Sequence, residues 1–327
     1  MSVFHKNYFV LCSCLSIFLL AGCFQRSNHA QEDKPQDLNV LCAGGPGSLP
    51  EIFCAVLRED APLLTKLCEQ GADVNQQLAS SLILNRNSDV VSSEIKPPEQ
   101  VHVYKGQTPL HIAAYLNNMP CAEILLNHNA KLDVYDVEGQ APIHRAISYE
   151  DTKMLQMLLD HGCPVDMPTK VNETMLSLRT TIFTRKPGFD EFDFRKNSVG
   201  QTPLQRASTM INDNTLLFLI EKGANINART AAGMTALHAA ASAGSDKTFE
   251  ILISKGADIN AQSNSGMTPL HVASEREWEG FQAGKLAIIK MLLEKDANRD
   301  LKDKNGKTAL DYAQESRNND AMKLLKN

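Results

Sequence analysis

Four histidines, His111, His144, His238 and His271, are the side chains of this sequence whose repetition most suggests chemistry. Imidazoles at matching positions are what a metal site uses, with ligand distances of about 2 Å. Each of the four, however, sits in its own copy of one short phrase. Successive copies must stand on successive structural units, too far apart to share an ion. The sequence has no HExxH, GxSxG, Walker or GxGxxG pattern. Gly44-Gly45-Pro46-Gly47 lacks both a preceding strand and a following Lys-Ser/Thr, and reads as linker. The expectation is no metal, no cofactor and no catalytic residue.

A second set of residues suits binding. Phe183, Phe189, Phe192 and Phe194 fall within twelve residues, interleaved with Arg179, Arg185, Lys186 and Arg195. Pro187-Gly188 between two apolar runs suits a hairpin turn. Aromatic rings with arginine are the anchors that protein interfaces favour, so Phe183, Arg185, Phe189, Phe192 and Phe194 are the candidate protein-binding residues. The same phenylalanines also suit a satellite core folded back on the body, since a long insertion must bury apolar area to be ordered.

The elements that must position these residues repeat. Glycines recur at 106, 139, 200, 233, 266 and 306; three of the intervals are 33 residues, and the other two are 61 and 40. Each opens a variant of one phrase: GQTPLHIAA, GQAPIHRAI, GQTPLQRAS, GMTALHAAA, GMTPLHVAS, GKTALDYAQ. Thr108, Thr202, Thr235, Thr268 and Thr308 stand where a hydroxyl caps a helix, with Pro109, Pro203 and Pro269 at its first turn. About nineteen residues past each glycine comes an apolar pair, then Gly71, Asn129, Gly162, Gly223, Gly256 or Asp296. All are types that tolerate the left-handed backbone that stops a helix.

This pattern resembles the ankyrin repeat, whose T-P-L-H-x-A signature and period match. The resemblance implies an all-α solenoid of about seven helix-turn-helix units over residues 48–327, joined by short β-hairpin fingers, with 48–77 as a degenerate first unit. It also implies that each signature histidine hydrogen-bonds the adjoining turn. Ala141 departs from the capping Thr, and Gln205 and Asp311 from the His. Two insertions, 76–105 and 171–199, interrupt the finger connections. A seven-residue insertion near Ser274–Gly284 is expected to lengthen the loop inside its unit, with Trp278 packed across the adjacent helix pair and Phe281 beside it.

Ahead of the repeats, Lys6 precedes an apolar run from Tyr8 to Leu20, too short to cross a hydrocarbon core of about 30 Å. Leu20-Ala21-Gly22-Cys23 resembles the lipobox of bacterial lipoproteins. That resemblance implies a signal peptide over 1–22, acylation of Cys23, and, with Phe24 next, sorting to the outer membrane. Residues 23–47 are then expected to be a flexible tether. Losing Lys6 with the signal takes the formal charge from −5 to −6, which offers no basic footprint for nucleic acid.

Past Cys23 lie Cys42, Cys54, Cys68, Cys121 and Cys163. In an oxidising compartment two of Cys42, Cys54 and Cys68 are expected to pair, with the choice left open. Cys163, in a slot that other units fill with Ala, is expected to pack.

The functional expectation is a non-enzymatic protein-binding lipoprotein of the envelope, facing the periplasm. Some bacterial ankyrin lipoproteins that it resembles are immunity proteins that block secreted toxins such as phospholipases. The alternative is a structural or housekeeping adaptor for periplasmic enzymes.

Overall fold

The computed structural model describes residues 36–44, 48–85, 100–147, 151–171, 199–210, 212–275 and 279–326. One unit shows how the sequence makes the fold. Thr235, extended, precedes helix Ala236–Ala243, which Gly244 stops in the left-handed conformation at φ 63°. Ser245 then starts helix Asp246–Ser254, and Gly256 at φ 90° ends it. Leu237, Ala240, Ala241, Phe249 and Leu252 are all fully buried. The signature alanine is small enough for first helices to stack closely, and Ala113, Ala146, Ala207, Ala240, Ala273 and Ala313 are each at most 1% exposed.

Among the described residues, seven such pairs follow a single helical turn, α1 (Leu38–Leu41). They are α2 (Glu51–Leu57) with α3 (Ala61–Glu69), α4 (Pro109–Tyr115) with α5 (Met119–Asn127), and α6 (Pro142–Ala146) with α7 (Lys153–Asp160). Next come α8 (Pro203–Met210) with α9 (Asp213–Glu221), and α10 (Ala236–Ala243) with α11 (Asp246–Ser254). The last are α12 (Pro269–Ser274) with α13 (Glu279–Glu294), and α14 (Ala309–Glu315) with α15 (Asn319–Lys326). First helices pack on first helices and second on second, so apolar area that no pair could hide alone becomes one continuous core. All six residues expected to stop second helices have positive φ, including Asn129 at 63° and Asp296 at 57°.

The seven-residue insertion goes into a helix and not into the loop expected. Helix α13 runs sixteen residues, where the other second helices run eight or nine. Lys285, fully buried, directs its ammonium at the carbonyls of Val272 (3.5 Å) and Glu275 (3.4 Å) at the end of α12. A cation there meets the negative end of the helix. In the neighbouring pair Asn318 plays the same part, donating to Ser274 O at 3.2 Å. Trp278 lies outside the described residues, and the Phe281 side chain is likewise not described.

The N-terminal end holds a correction. Residues 36–44, within the stretch expected to be tether, are packed against the body. Strand β1 (Gln36–Asp37) pairs in parallel with β2 (Leu82–Asn85), which pairs antiparallel with β3 (Gln100–Val103). Leu38 is buried, and Cys42 is bridged to Cys54 on α2. The first insertion, polar by composition, thus supplies a small sheet with Leu84, Val101 and Val103 buried. Cys68, Cys121 and Cys163 are free and buried. Burial pushes the Cys121 and Cys163 thiols up to about 12, so neither is a nucleophile at neutral pH.

Candidate protein-binding surface

The fingers form one continuous edge. Each is a tight turn closed by two backbone bonds; in the third unit Gly139 N donates to Asp136 O (2.9 Å) and Asp136 N to Gln140 O (3.0 Å). Among the described residues strand pairing occurs only in the sheet at the N-terminal end, so the other fingers are turns and not the β-hairpins expected. Neighbouring tips are tied together: Val137 N donates to Lys105 O, Lys170 N to Gly139 O, Ala231 N to Val199 O, Asn264 N to Ala232 O and Lys304 N to Ser265 O, all at 2.8–2.9 Å. Gly139 shows why a tip needs glycine. Its φ is 72°, and a Cβ there would lie 1.6 Å from Lys170 O.

Both long insertions leave from this edge. Gly106 N donates to Leu78 O and Gly200 N to Thr169 O, closing the same turn that Asp136 and Gly139 close in a regular finger. The extra residues therefore leave and rejoin the described chain at the tip, and helices α6 and α8 on either side of the second insertion still touch. Val171, where the second insertion departs, is 45% exposed.

The histidines brace the fingers from behind. His238 Nδ1 accepts from Thr235 N (3.1 Å), and its Nε2 faces Met267 O, in the next unit, at 2.9 Å. The first bond requires an unprotonated Nδ1, so Nε2 carries the proton and donates to the carbonyl. His111, His144 and His271 do the same toward Gln140 O, Met167 O and Lys307 O. Burial drives the pKa of His111 and His238 down to about 4 and of His144 to about 3. Both ring nitrogens are spoken for, which explains the column without a metal. In the fourth unit Gln205 substitutes fully: its Oε1 accepts from Thr202 N and its Nε2 donates to Ala228 O and Met234 O.

Where first helices meet fingers lies a charged cluster that composition did not reveal. Arg145 donates through Nε to Asp136 Oδ2 (3.0 Å) and through a terminal nitrogen to Glu138 (2.9 Å), with its guanidinium 4.6 Å from the centre of the Tyr104 ring. Burial works against the Arg145 charge, but Glu138 and Asp136 outweigh it and raise its pKa. Burial likewise opposes ionisation of Asp136, and Arg145 more than offsets it. Burial, with Glu138 adding, pushes the Tyr104 phenol up to about 12. Arg206, half-buried, stands at the position of Arg145 one unit on. The signal was in the phrases themselves: this position is Arg in HRA and QRA, but Ile112, Ala239, Val272 and Tyr312 elsewhere.

Phe183, Arg185, Phe189, Phe192 and Phe194, and the expected anchor Cys23, lie outside the described residues. What is described is the platform from which the second insertion rises.

Family models for ankyrin repeats match the chain, one of three copies over residues 52–169, 230–283 and 262–327, and one of many copies over 204–248. A search of curated proteins returned no match. Among solved structures, the ankyrin repeat domain of Bcl-3, a member of the IkappaB protein family, is 22% identical at a TM-score of 0.55. The alignment covers 85% of this chain and 99% of that one. The human ASB11 ankyrin repeat domain is 18% identical at 0.57, with the same coverage. At such identities the likeness is one of fold. The matched family models span more than half of the sequence; this chain belongs to the ankyrin-repeat family, whose stacks serve as protein-interaction modules.

Proposed function

We propose that this chain is a non-enzymatic, protein-binding lipoprotein of the bacterial envelope. It is held at the outer membrane by acylated Cys23, faces the periplasm, and acts as an immunity protein that occludes a secreted toxin of the phospholipase kind. The observation that carries the binding role is that both insertions depart from and return to the same edge of the stack, each at a fingertip. A stiff platform loses little ordering entropy on binding, so long tips on it are well placed to grip. The Cys42–Cys54 bridge supports export, because such bridges persist where the surroundings are oxidising. Leu20-Ala21-Gly22-Cys23 supports the lipid anchor.

Two measurements test the proposal. Cys23→Ala should lose acyl label and leave the membrane fraction; a variant that still floats with membranes removes the anchor. For the partner, crosslinked capture from envelope extracts should yield a secreted hydrolase with the wild-type chain, and Phe189→Ala, Phe192→Ala or Phe194→Ala should weaken capture without lowering the melting temperature. Recovery of resident envelope enzymes in its place would make the chain an adaptor. Lowered melting with capture intact per folded molecule would turn the phenylalanines into a satellite core.

A further inference from the structure

In two units the residue after the signature position is anchored to its own finger. Arg145 bonds Asp136, three residues before fingertip Gly139. Tyr312 bonds Asp303 (2.7 Å), three residues before fingertip Gly306. Each aspartate uses its other oxygen to close the turn, accepting from Gln140 N and Lys307 N.

The fourth unit breaks this pairing. Its finger is closed by Thr169, whose hydroxyl accepts from Gln201 N at 2.9 Å. Among the described residues no carboxylate bonds the Arg206 guanidinium, and its Nε is sealed from solvent without a hydrogen-bond partner. The nearby acids Asp136 and Glu138 are already committed to Arg145. A half-buried guanidinium without a counterion is costly, and a carboxylate brought to it by another molecule would relieve that cost through paired, charge-assisted bonds.

We propose that Arg206 is a docking point for a carboxylate, an Asp or Glu side chain of the bound protein, at the root of the second insertion. The inference rests on the protein-binding reading above. Burial, with the charge of Arg145 adding, lowers the Arg206 pKa to about 10, which is the direction an anion would reverse. Glu138 and Asp136 act on the same guanidinium, so a doubly charged phosphate meets more repulsion there than a single carboxylate does. A carboxylate is therefore the favoured occupant.

The test is calorimetric titration of the full mature chain with hexaglutamate, with hexaglutamine and inorganic phosphate as controls. Wild type should bind hexaglutamate, Arg206→Met should weaken it by about tenfold or more, and Arg206→Lys should keep part of the affinity. The melting temperature of Arg206→Met should equal or exceed that of wild type, since an uncompensated charge has been removed. Equal affinity of wild type and Arg206→Met would overturn the inference, as would lowered melting in Arg206→Met, which would place the arginine's partner inside the fold. Phosphate competing as well as hexaglutamate would overturn the choice of carboxylate. Envelope capture intact with peptide binding blind to Arg206 removes the docking point and leaves the protein-binding reading standing. Arg206-dependent peptide binding without any captured protein does the reverse.

Discussion

Gly284 lies directly under the backbone of Gly244: a Cβ at 284 would sit 1.8 Å from the Gly244 carbonyl oxygen. The second helix of the sixth unit therefore touches the turn of the fifth through two residues without side chains. In an isolated helix Gly→Ala is worth about 1 kcal/mol of stabilisation. Here the contact is with backbone, which cannot swing away, and the steric effect wins. Gly284→Ala should destabilise the protein by about 1–3 kcal/mol, measured by urea unfolding. A neutral or stabilising result would mean that α13 can slide along the stack.

The buried histidines make the stack acid-sensitive. His238 has a folded pKa of about 4 against an ordinary 6.5, so between these values the unfolded chain binds the extra proton. Stability is complete above about pH 6.5 and falls as the pH drops toward 4, by about 2 kcal/mol at pH 5 for this residue. Gln205 already makes the same bonds with an amide that cannot titrate. His238→Gln should accordingly match wild type within about 1 kcal/mol at pH 7.5 and exceed it by about 2 kcal/mol at pH 5. Urea titrations at the two pH values check both halves of the claim.

Breaking the buried ion pair should cost more than surface pairs do. Arg145→Met strands Asp136, whose side chain is fully buried, and should destabilise by about 3–5 kcal/mol. Asp136→Asn keeps the turn-closing acceptor and leaves Arg145 bonded to Glu138, so its cost should be less than half as large. Equal losses for the two variants would show that turn closure, and not charge, governs this corner.

The Cys42–Cys54 bridge should be visible in a thiol count. Labelling of denatured, unreduced protein should find Cys68, Cys121 and Cys163 reactive, with Cys42 and Cys54 joining them after reduction. Cys42→Ser with Cys54→Ser should release residues 36–44 to rapid amide exchange and lower stability by about 2–4 kcal/mol. Bridging that involves Cys163 would contradict its packed position.

Much of the architecture was legible in the sequence because its determinants are local. Thr268 accepts from His271 N three residues away, and Gly256 stops the helix that precedes it. Such interactions repeat with the phrase, so a period of 33 announces seven units, their helix boundaries and the edge from which insertions emerge. That the histidines hydrogen-bond the adjoining turn was implied by the ankyrin resemblance, whereas their neutrality and the full replacement of those bonds by Gln205 came from the structure.

What escaped the sequence is what distant segments decide together. Nothing in Gln36-Asp37 announces a partner at Leu84-Asn85, since two residues carry no period and the pairing closes a long loop. Three cysteines near the first unit allowed three pairings, and only the packing of α1 against α2 brings Cys42 to Cys54. Sequence by itself determined that the chain repeats, caps its helices and stacks, because those choices are made within a few residues. The tertiary structure alone decided that Arg145 has its acid and that Arg206 has none among the described residues, because finger and helix meet only after the chain has turned back on itself.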